Sequence, residues 1–387
     1  MTRIAIIGGC GHVGIPLGLA LASRGFPTTL IDRNTGAVDC IRNGKLPFLE
    51  EGAEQILADT LGKTLSATCE ASAASACDVL IFVVGTPVDE HMNPCVNMVM
   101  DTVSEYMPLM TDRQLLILRS TLYPGTFRIV ENMLKNAGRQ NSLAFCPERI
   151  QQGKGIQEIF SLPQIVSGAT PKAVQEAKDI FSRLTSTIIE ATPEEAELAK
   201  LMTNSWRYLN FAIANQFYIM AQSAGIDFNK LYAIMTNDYP RAKFFAKAGL
   251  AAGPCLLKDT LQLASFFNNN FFLGHSAMLI NEGLPNFLVE QLELKLGGSL
   301  TNRKIAIFGM TFKADSDDIR DSLSFKIKKK LEQKLAVPMP VDPFLPGLCS
   351  IEDALNSAEG IILGTPHTAF KDIHPNVPYV DCWSFWK

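Results

Sequence analysis

Arg3-Ile4-Ala5-Ile6-Ile7-Gly8-Gly9-Cys10-Gly11-His12-Val13-Gly14, followed after a short helical pattern by Thr28-Thr29-Leu30-Ile31-Asp32, decides the fold. Arg3 to Ile7 is a β-rich apolar run that breaks at once into glycines, which predicts a strand and a tight turn rather than a signal peptide. Ile15 to Ser23 carries Leu17, Leu19, Ala20 and Leu21 at helical spacing and closes at Gly25. A second strand then ends in an acid. Strand, glycine turn, helix, strand and acid in this order predict a dinucleotide site. Gly9 permits the turn, Gly11 lets a pyrophosphate approach the backbone, Gly14 lets helix and strand pack closely, and His12 and Val13 complete the turn. Asp32 suits the ribose hydroxyls and favours NAD over NADP. Arg33 beside it pulls the other way, because an arginine there can hold a 2′-phosphate.

Further short apolar runs end in polar or turn residues. Val79 to Val84 ends in Gly85-Thr86-Pro87, Leu115 to Leu118 in Arg119-Ser120-Thr121, and Leu143 to Cys146 in Pro147-Glu148-Arg149. In a parallel sheet these ends share the edge where ligands bind, so Thr86, Thr121 and Glu148 are expected in one crevice beside the cofactor. A carboxylate at a buried strand end needs a reason, which makes Glu148 the stronger candidate. Gln164 to Ser167 and Thr187 to Glu190 read as two more strands.

Thr192-Pro193-Glu194-Glu195 combines an N-cap, a first-position proline and a capping-box glutamate. The next glycine or proline is Gly225, so a helix of about 30 residues and roughly 45 Å is expected. Trp206, Phe211, Phe217 and Met220 give it apolar material for a dimer contact. Lys200 and Asn204 stand one turn apart on one face. Asp238 to Lys243 reads as a loop whose cations suit an anionic substrate. Gly253-Pro254-Cys255-Leu256-Leu257-Lys258-Asp259 reads as a loop entering a helix, with Cys255 in the first turn, where N–H groups and the dipole favour a thiolate. Asp259 then lies one turn below the sulfur. Leu279 to Leu296 reads as another helix, ending at Gly297-Gly298.

The pattern then restarts as a smaller α/β unit. Lys304 to Phe308 is a strand, Ser322 to Leu335 a helix, Met339 to Val341 and Gly360 to Leu363 strands, with a last strand from Val380. It lacks the three-glycine turn, so a different mode of nucleotide binding is expected. Lys313, Arg320 and Asp321 cluster in its first long loop. Arg320 either clamps a phosphate or pairs with Asp317 or Asp318.

Bulk properties narrow the class. A chain of 387 residues, 47% hydrophobic and 19% charged, predicts a soluble multidomain protein. A net charge of −4 gives no reason to expect nucleic acid or an anionic membrane, and no apolar run reaches spanning length. Nine cysteines scattered singly argue against disulfides and metal knuckles and for a reducing, cytoplasmic setting. The expected architecture is two Rossmann-like parallel-sheet domains joined by a long central helix and a helical middle domain, divided as 1–191, 192–298 and 299–387.

With these residues laid out, the chain resembles the UDP-glucose/GDP-mannose dehydrogenase family of nucleotide-sugar 6-dehydrogenases over its whole length. The ordered set is Gly9 to Gly14, Asp32, Gly85-Thr86-Pro87, Ser120-Thr121 with Pro124-Gly125-Thr126, Pro147-Glu148, Lys200 with Asn204, Cys255 with Lys258-Asp259, and Phe312-Lys313 with Asp318-Ile319-Arg320. The resemblance implies a four-electron, NAD-dependent oxidation of a UDP-sugar to the uronate, by way of a thiohemiacetal and a thioester on Cys255. It implies Lys200 at the oxyanion, Asn204 helping to hold the reacting group, Thr121 and Asp259 positioning water, and Glu148 as base. Arg241, Gly253, Arg149 and Lys313 would contact substrate, and Arg320 the cofactor. It also implies a homodimer built on the central helix.

Three departures stand out. The lead-in to the cysteine is Gly249-Leu250-Ala251-Ala252-Gly253-Pro254 where the family is richer in glycine. Gln152 stands where a second glutamate is common. Arg149 follows Pro147-Glu148 where glucose and mannose enzymes carry phenylalanine, which looks more like the branch acting on UDP-N-acetylhexosamines (UDP-ManNAc or UDP-GlcNAc). The alternatives are a UDP-glucose 6-dehydrogenase, a two-electron dehydrogenase of the 6-phosphogluconate or 3-hydroxyacyl type, and a non-catalytic NAD-binding sensor.

Overall fold

The opening strand, Ile4–Ile7 (β1), is buried along its length, and so is the run Val79–Phe82 on one side of it in the sheet. The computed structural model describes residues 1–89 and 94–386, leaving Lys387 and the segment 90–93 outside the described residues. The chain falls into two compact units, Met1–Met202 and Thr203–Lys387.

In the first unit β1 is joined by Thr28–Ile31 (β2), Leu65–Thr68 (β3), Val79–Phe82 (β4), Leu115–Leu118 (β5), Ser142–Phe145 (β6), Gln164–Gly168 (β7) and Ile188–Glu190 (β8). They form one eight-stranded sheet in the order β3-β2-β1-β4-β5-β6-β7-β8. All neighbours are parallel except β6 and β7. The order reverses between β1 and β4, the place where open α/β sheets bind ligands. Ile4 and Ile6 face one apolar core while Ala5 and Ile7 face another. Covering both faces is why these strands read as continuous apolar runs instead of alternating ones. The strand β3 gives no such run and escaped the sequence reading. It sits at the sheet edge, and Ser66 faces solvent.

The long helix spans Pro193–Ser223, 31 residues. Its start is the expected capping box: Glu195 N–H donates to Thr192 Oγ1 at 3.3 Å, and Thr192 N–H donates to Glu195 Oε2 at 2.8 Å.

The second unit holds Lys304–Phe308 (β9), Val337–Val341 (β10), Gly360–Leu363 (β11) and Tyr379–Val380 (β12), all parallel, in the order β10-β9-β11-β12. β10 begins two residues before the expected Met339. Pro338 and Pro340 are tolerated because β10 is an edge strand and its alternate N–H groups point away from the ladder. The helix expected over Leu279 to Leu296 begins earlier and runs Phe272–Lys295 with Pro285 inside.

Candidate active site

The glycine turn fits a dinucleotide on its own geometry. A methyl on Gly14 would lie 2.4 Å from Gly9 O, and one on Gly9 would lie 2.6 Å from Ile6 O, so the fold itself demands both. At Gly11 the nearest atom to such a methyl is 3.9 Å away, so nothing in the protein requires glycine there. The missing side chain leaves room for a pyrophosphate at the start of the Gly14–Ser23 helix. Asp32 stands at the end of β2, accepting from Cys10 N–H at 2.9 Å and Asn34 N–H at 3.0 Å. Arg33 pairs with Glu105. That carboxylate occupies the guanidinium a 2′-phosphate would need, which favours NAD. His12 stacks on Phe48 with ring centroids 3.8 Å apart, and Val13 sits half-buried between it and the helix. Burial, then the charge of Asp32, push the Cys10 thiol up to about 12, so this cysteine is inert.

The ends of β4, β5 and β6 meet as expected. Ser120 Oγ donates to Val84 O at 2.6 Å, and Glu148 N–H donates to Arg119 O at 3.3 Å. Gly85-Thr86-Pro87, Thr121 and Glu148 therefore share one edge of one sheet. Thr86 and Thr121 are half-buried there. Glu148 is held by Arg119 Nη2 and by the N–H groups of Arg149 and Ile150, at 2.7 and 3.0 Å. Arg119 is itself buried, donating to Cys146 O at 3.1 Å and Gln164 Oε1 at 3.0 Å. Sequence reasoning passed over it as a site residue. The signal was a cation directly after the apolar run Leu115 to Leu118. Arg149 turns its guanidinium onto Pro163 O, and burial lowers its pKa.

Lys200 and Asn204 lie one helical turn apart on the long helix, and both are buried. Glu197, also buried, accepts from Gly125 N–H at 2.7 Å and Phe127 N–H at 2.8 Å. It caps the helix Thr126–Asn136 and accounts for the Pro124-Gly125-Thr126 segment.

Within the second unit the cysteine helix is Leu256–Phe266, two residues later than a start at Pro254. Cys255 is therefore its N-cap and not a first-turn residue, because its carbonyl accepts the first helical bond, from Asp259 N–H at 2.9 Å. Pro254 lies outside the helix. The thiol keeps its place at the positive end of the dipole. Of the nine cysteines it alone is exposed. One turn below, Asp259 is fully buried, accepting from Asn204 Nδ2 at 2.6 Å with Lys258 Nζ 3.4 Å from Oδ1. Among the described residues Oδ1 receives no hydrogen bond, an arrangement that suits a water or substrate oxygen.

The lead-in loop is fixed by residues the sequence did not flag. Buried Asn215 donates to Gly249 O at 3.0 Å and accepts from Gly249 N–H at 2.9 Å, and its amide bonds Asn281 at 2.9 Å. Gly253 has φ +94°, and a methyl there would meet the Phe312 ring at 2.5 Å. Its N–H donates to Asp321 O at 3.2 Å. Arg320 pairs with Asp318, the alternative to a phosphate clamp, with Nη2 to Oδ2 at 2.6 Å. Those hydrogen bonds raise its pKa, against the opposing effect of burial. Lys313 is half-buried in the same loop, and Arg241 is exposed in a short turn, Pro240–Ala242. Among the described residues no acid, histidine and cysteine cluster suits a metal.

Comparison with known proteins covers nearly all of the chain. The NAD binding domain of the UDP-glucose/GDP-mannose dehydrogenase family matches residues 2–185, its central domain 194–282 and its UDP binding domain 306–385. A UDP-N-acetyl-D-mannosamine dehydrogenase of Pyrococcus horikoshii is 30% identical over 96% of this chain and 91% of its own. One of Methanococcus maripaludis is 29% identical over 96% and 88%. The solved structure of UDP-D-ManNAc dehydrogenase from Pyrococcus horikoshii superposes with a TM-score of 0.90 at 27% identity, covering 96% of this chain and 91% of that one.

Proposed function

We infer the substrate and the working residues from one premise: the chain belongs to the UDP-glucose/GDP-mannose dehydrogenase family and is an NAD-dependent nucleotide-sugar dehydrogenase. The substrate we propose is UDP-N-acetyl-D-mannosamine, oxidised at C6 to the uronate. The relatives bearing that name support it, as does the Pro147-Glu148-Arg149 sequence. The observation that carries the mechanism is the exposed Cys255 at a helix N-terminus, one turn above a buried Asp259 held by Asn204.

When bound, NAD accepts hydride from the sugar carbon in each of two oxidations. Gly9, Gly11, Gly14, His12 and Val13 would hold its pyrophosphate side and Asp32 its ribose, with Gly85-Thr86-Pro87 along the same sheet edge. Cys255 Sγ adds to the C6 aldehyde, forming a C–S bond while the carbonyl oxygen gains the negative charge. Lys200 and Asn204 stabilise that oxygen. Loss of the remaining C6 hydride gives the thioester. Thr121 and Asp259 position a water, and Glu148, oriented by Arg119, takes its proton. The C–S bond then breaks, releasing the carboxylate and the thiolate. Arg149, Lys313, Gly253 and Arg241 contribute to substrate binding, and Arg320 steadies the thiolate or the cofactor.

The division into 1–191, 192–298 and 299–387 is supported by the separate family matches. A homodimer through the long helix is supported by Trp206, Ile213, Phe217 and Met220, exposed on it by 61, 48, 37 and 58%. Phe211, expected among them, packs inward instead. A cytoplasmic setting accords with the scattered cysteines. Among the described residues no helix is long and apolar enough to cross a membrane. The test is a panel of UDP-sugars with NAD, following reduced nicotinamide. UDP-ManNAc should be turned over fastest, and a clear preference for UDP-glucose would overturn the assignment.

A further inference from the structure

A buried imidazole outside the proposed machinery ties the second sheet to the loop under Cys255. His367 follows β11 and is fully buried between Phe344 and Phe370. Its Nδ1 accepts the backbone N–H of Asp315 at 2.9 Å, a donor that cannot be reversed. The ring is thus neutral, with its proton on Nε2. That proton is directed at Asp342 Oδ2, 3.0 Å away, with Thr311 Oγ1 at 3.2 Å. Asp342 Oδ2 also accepts from Met310 N–H at 2.7 Å and Thr311 N–H at 3.1 Å. The Asp315 carboxylate returns the clamp, accepting from Thr368 N–H at 2.8 Å and Thr368 Oγ1 at 2.6 Å. Both ends of the 311–315 turn are therefore fastened to the ends of β10 and β11.

The other side of the same loop faces the cysteine lead-in. Phe312 lies against Gly253, and Asp321 O holds the Gly253 N–H. We propose that His367 is a positioning residue for Cys255: through the main chain of Asp315 it seats the 311–321 loop against the backbone that presents the thiol. The proposal rests on Cys255 being the nucleophile.

Two substitutions divide the imidazole's functions. H367N keeps an acceptor near the Nδ1 position, and H367Q keeps a donor near Nε2. The full chain is assayed for the rate of Cys255 alkylation by iodoacetamide and for kcat and KM of uronate formation, with NAD affinity as the control for the first unit. H367Q should slow both alkylation and kcat by about tenfold to a hundredfold, the cost of small misplacements, with NAD binding intact. H367N should recover most of both. Equal rates in H367Q and wild type, or H367N slower than H367Q, would overturn the proposal. If alkylating Cys255 in the wild type leaves uronate formation unaffected, the nucleophile assignment fails instead, whatever the His367 variants show.

Discussion

At the residue scale, the buried pair of Arg119 and Glu148 has consequences for stability as well as chemistry. Removing one partner of a buried ion pair strands the other charge, at a cost of about 3–5 kcal/mol. Glu148→Ala should lower stability by that amount in urea unfolding while also stopping uronate release. A stability change below about 1 kcal/mol would show that Arg119 finds other compensation through its carbonyl partners. The helix and spacing signals around Cys255, Asp259, Lys200 and Asn204 are legible in the sequence, while the roles proposed for them come from the family resemblance. Arg119, Glu197, Asn215 and Asn281 were not, because each works by pairing with a backbone or side-chain group distant in the chain. No local pattern announces such a partner.

At the element scale, the long helix was readable end to end because both its signals are local, the capping box at Thr192 and the stop at Gly225. Its exposed stripe was read only in part. Spacing offered Phe211, and packing turned that ring inward and left Ile213 outside. Trp206→Glu places a charge at the most exposed residue of the stripe. If the proposed dimer forms through this helix, light scattering should find a dimer for the wild type and a monomer for the variant; a monomeric wild type or a variant that stays dimeric would contradict it. β3 and the start of β10 were missed for a shared reason. Edge strands need neither a continuous apolar run nor freedom from proline, so the signal that found β1, β4 and β5 is absent there.

For the whole molecule, the second sheet carries an acid-sensitive joint. Burial raises the Asp342 carboxyl, but the hydrogen bond from His367 and the N–H groups of Met310 and Phe344 outweigh it, holding it below its ordinary 3.8. A carboxyl lowered in the folded chain stabilises it above the unfolded pKa, and that contribution is lost as the pH falls through the folded one. Asp342→Asn should therefore flatten the loss of stability below about pH 4. Parallel acid unfolding curves for variant and wild type would contradict this. The repetition of an α/β unit either side of a helical stretch was legible from motif order. The fastening of the Cys255 lead-in was not, since it draws on Asn215 in the long helix and on Phe312 and Asp321 in the 311–321 loop, segments distant in the chain. A covalent four-electron oxidation at Cys255 is tested most directly by the yield of reduced nicotinamide and uronate per UDP-ManNAc in the wild type and Cys255→Ser. Two reduced nicotinamides and one uronate per sugar are expected for the wild type and no uronate for the serine variant. Uronate formed by the variant at the wild-type rate would contradict it.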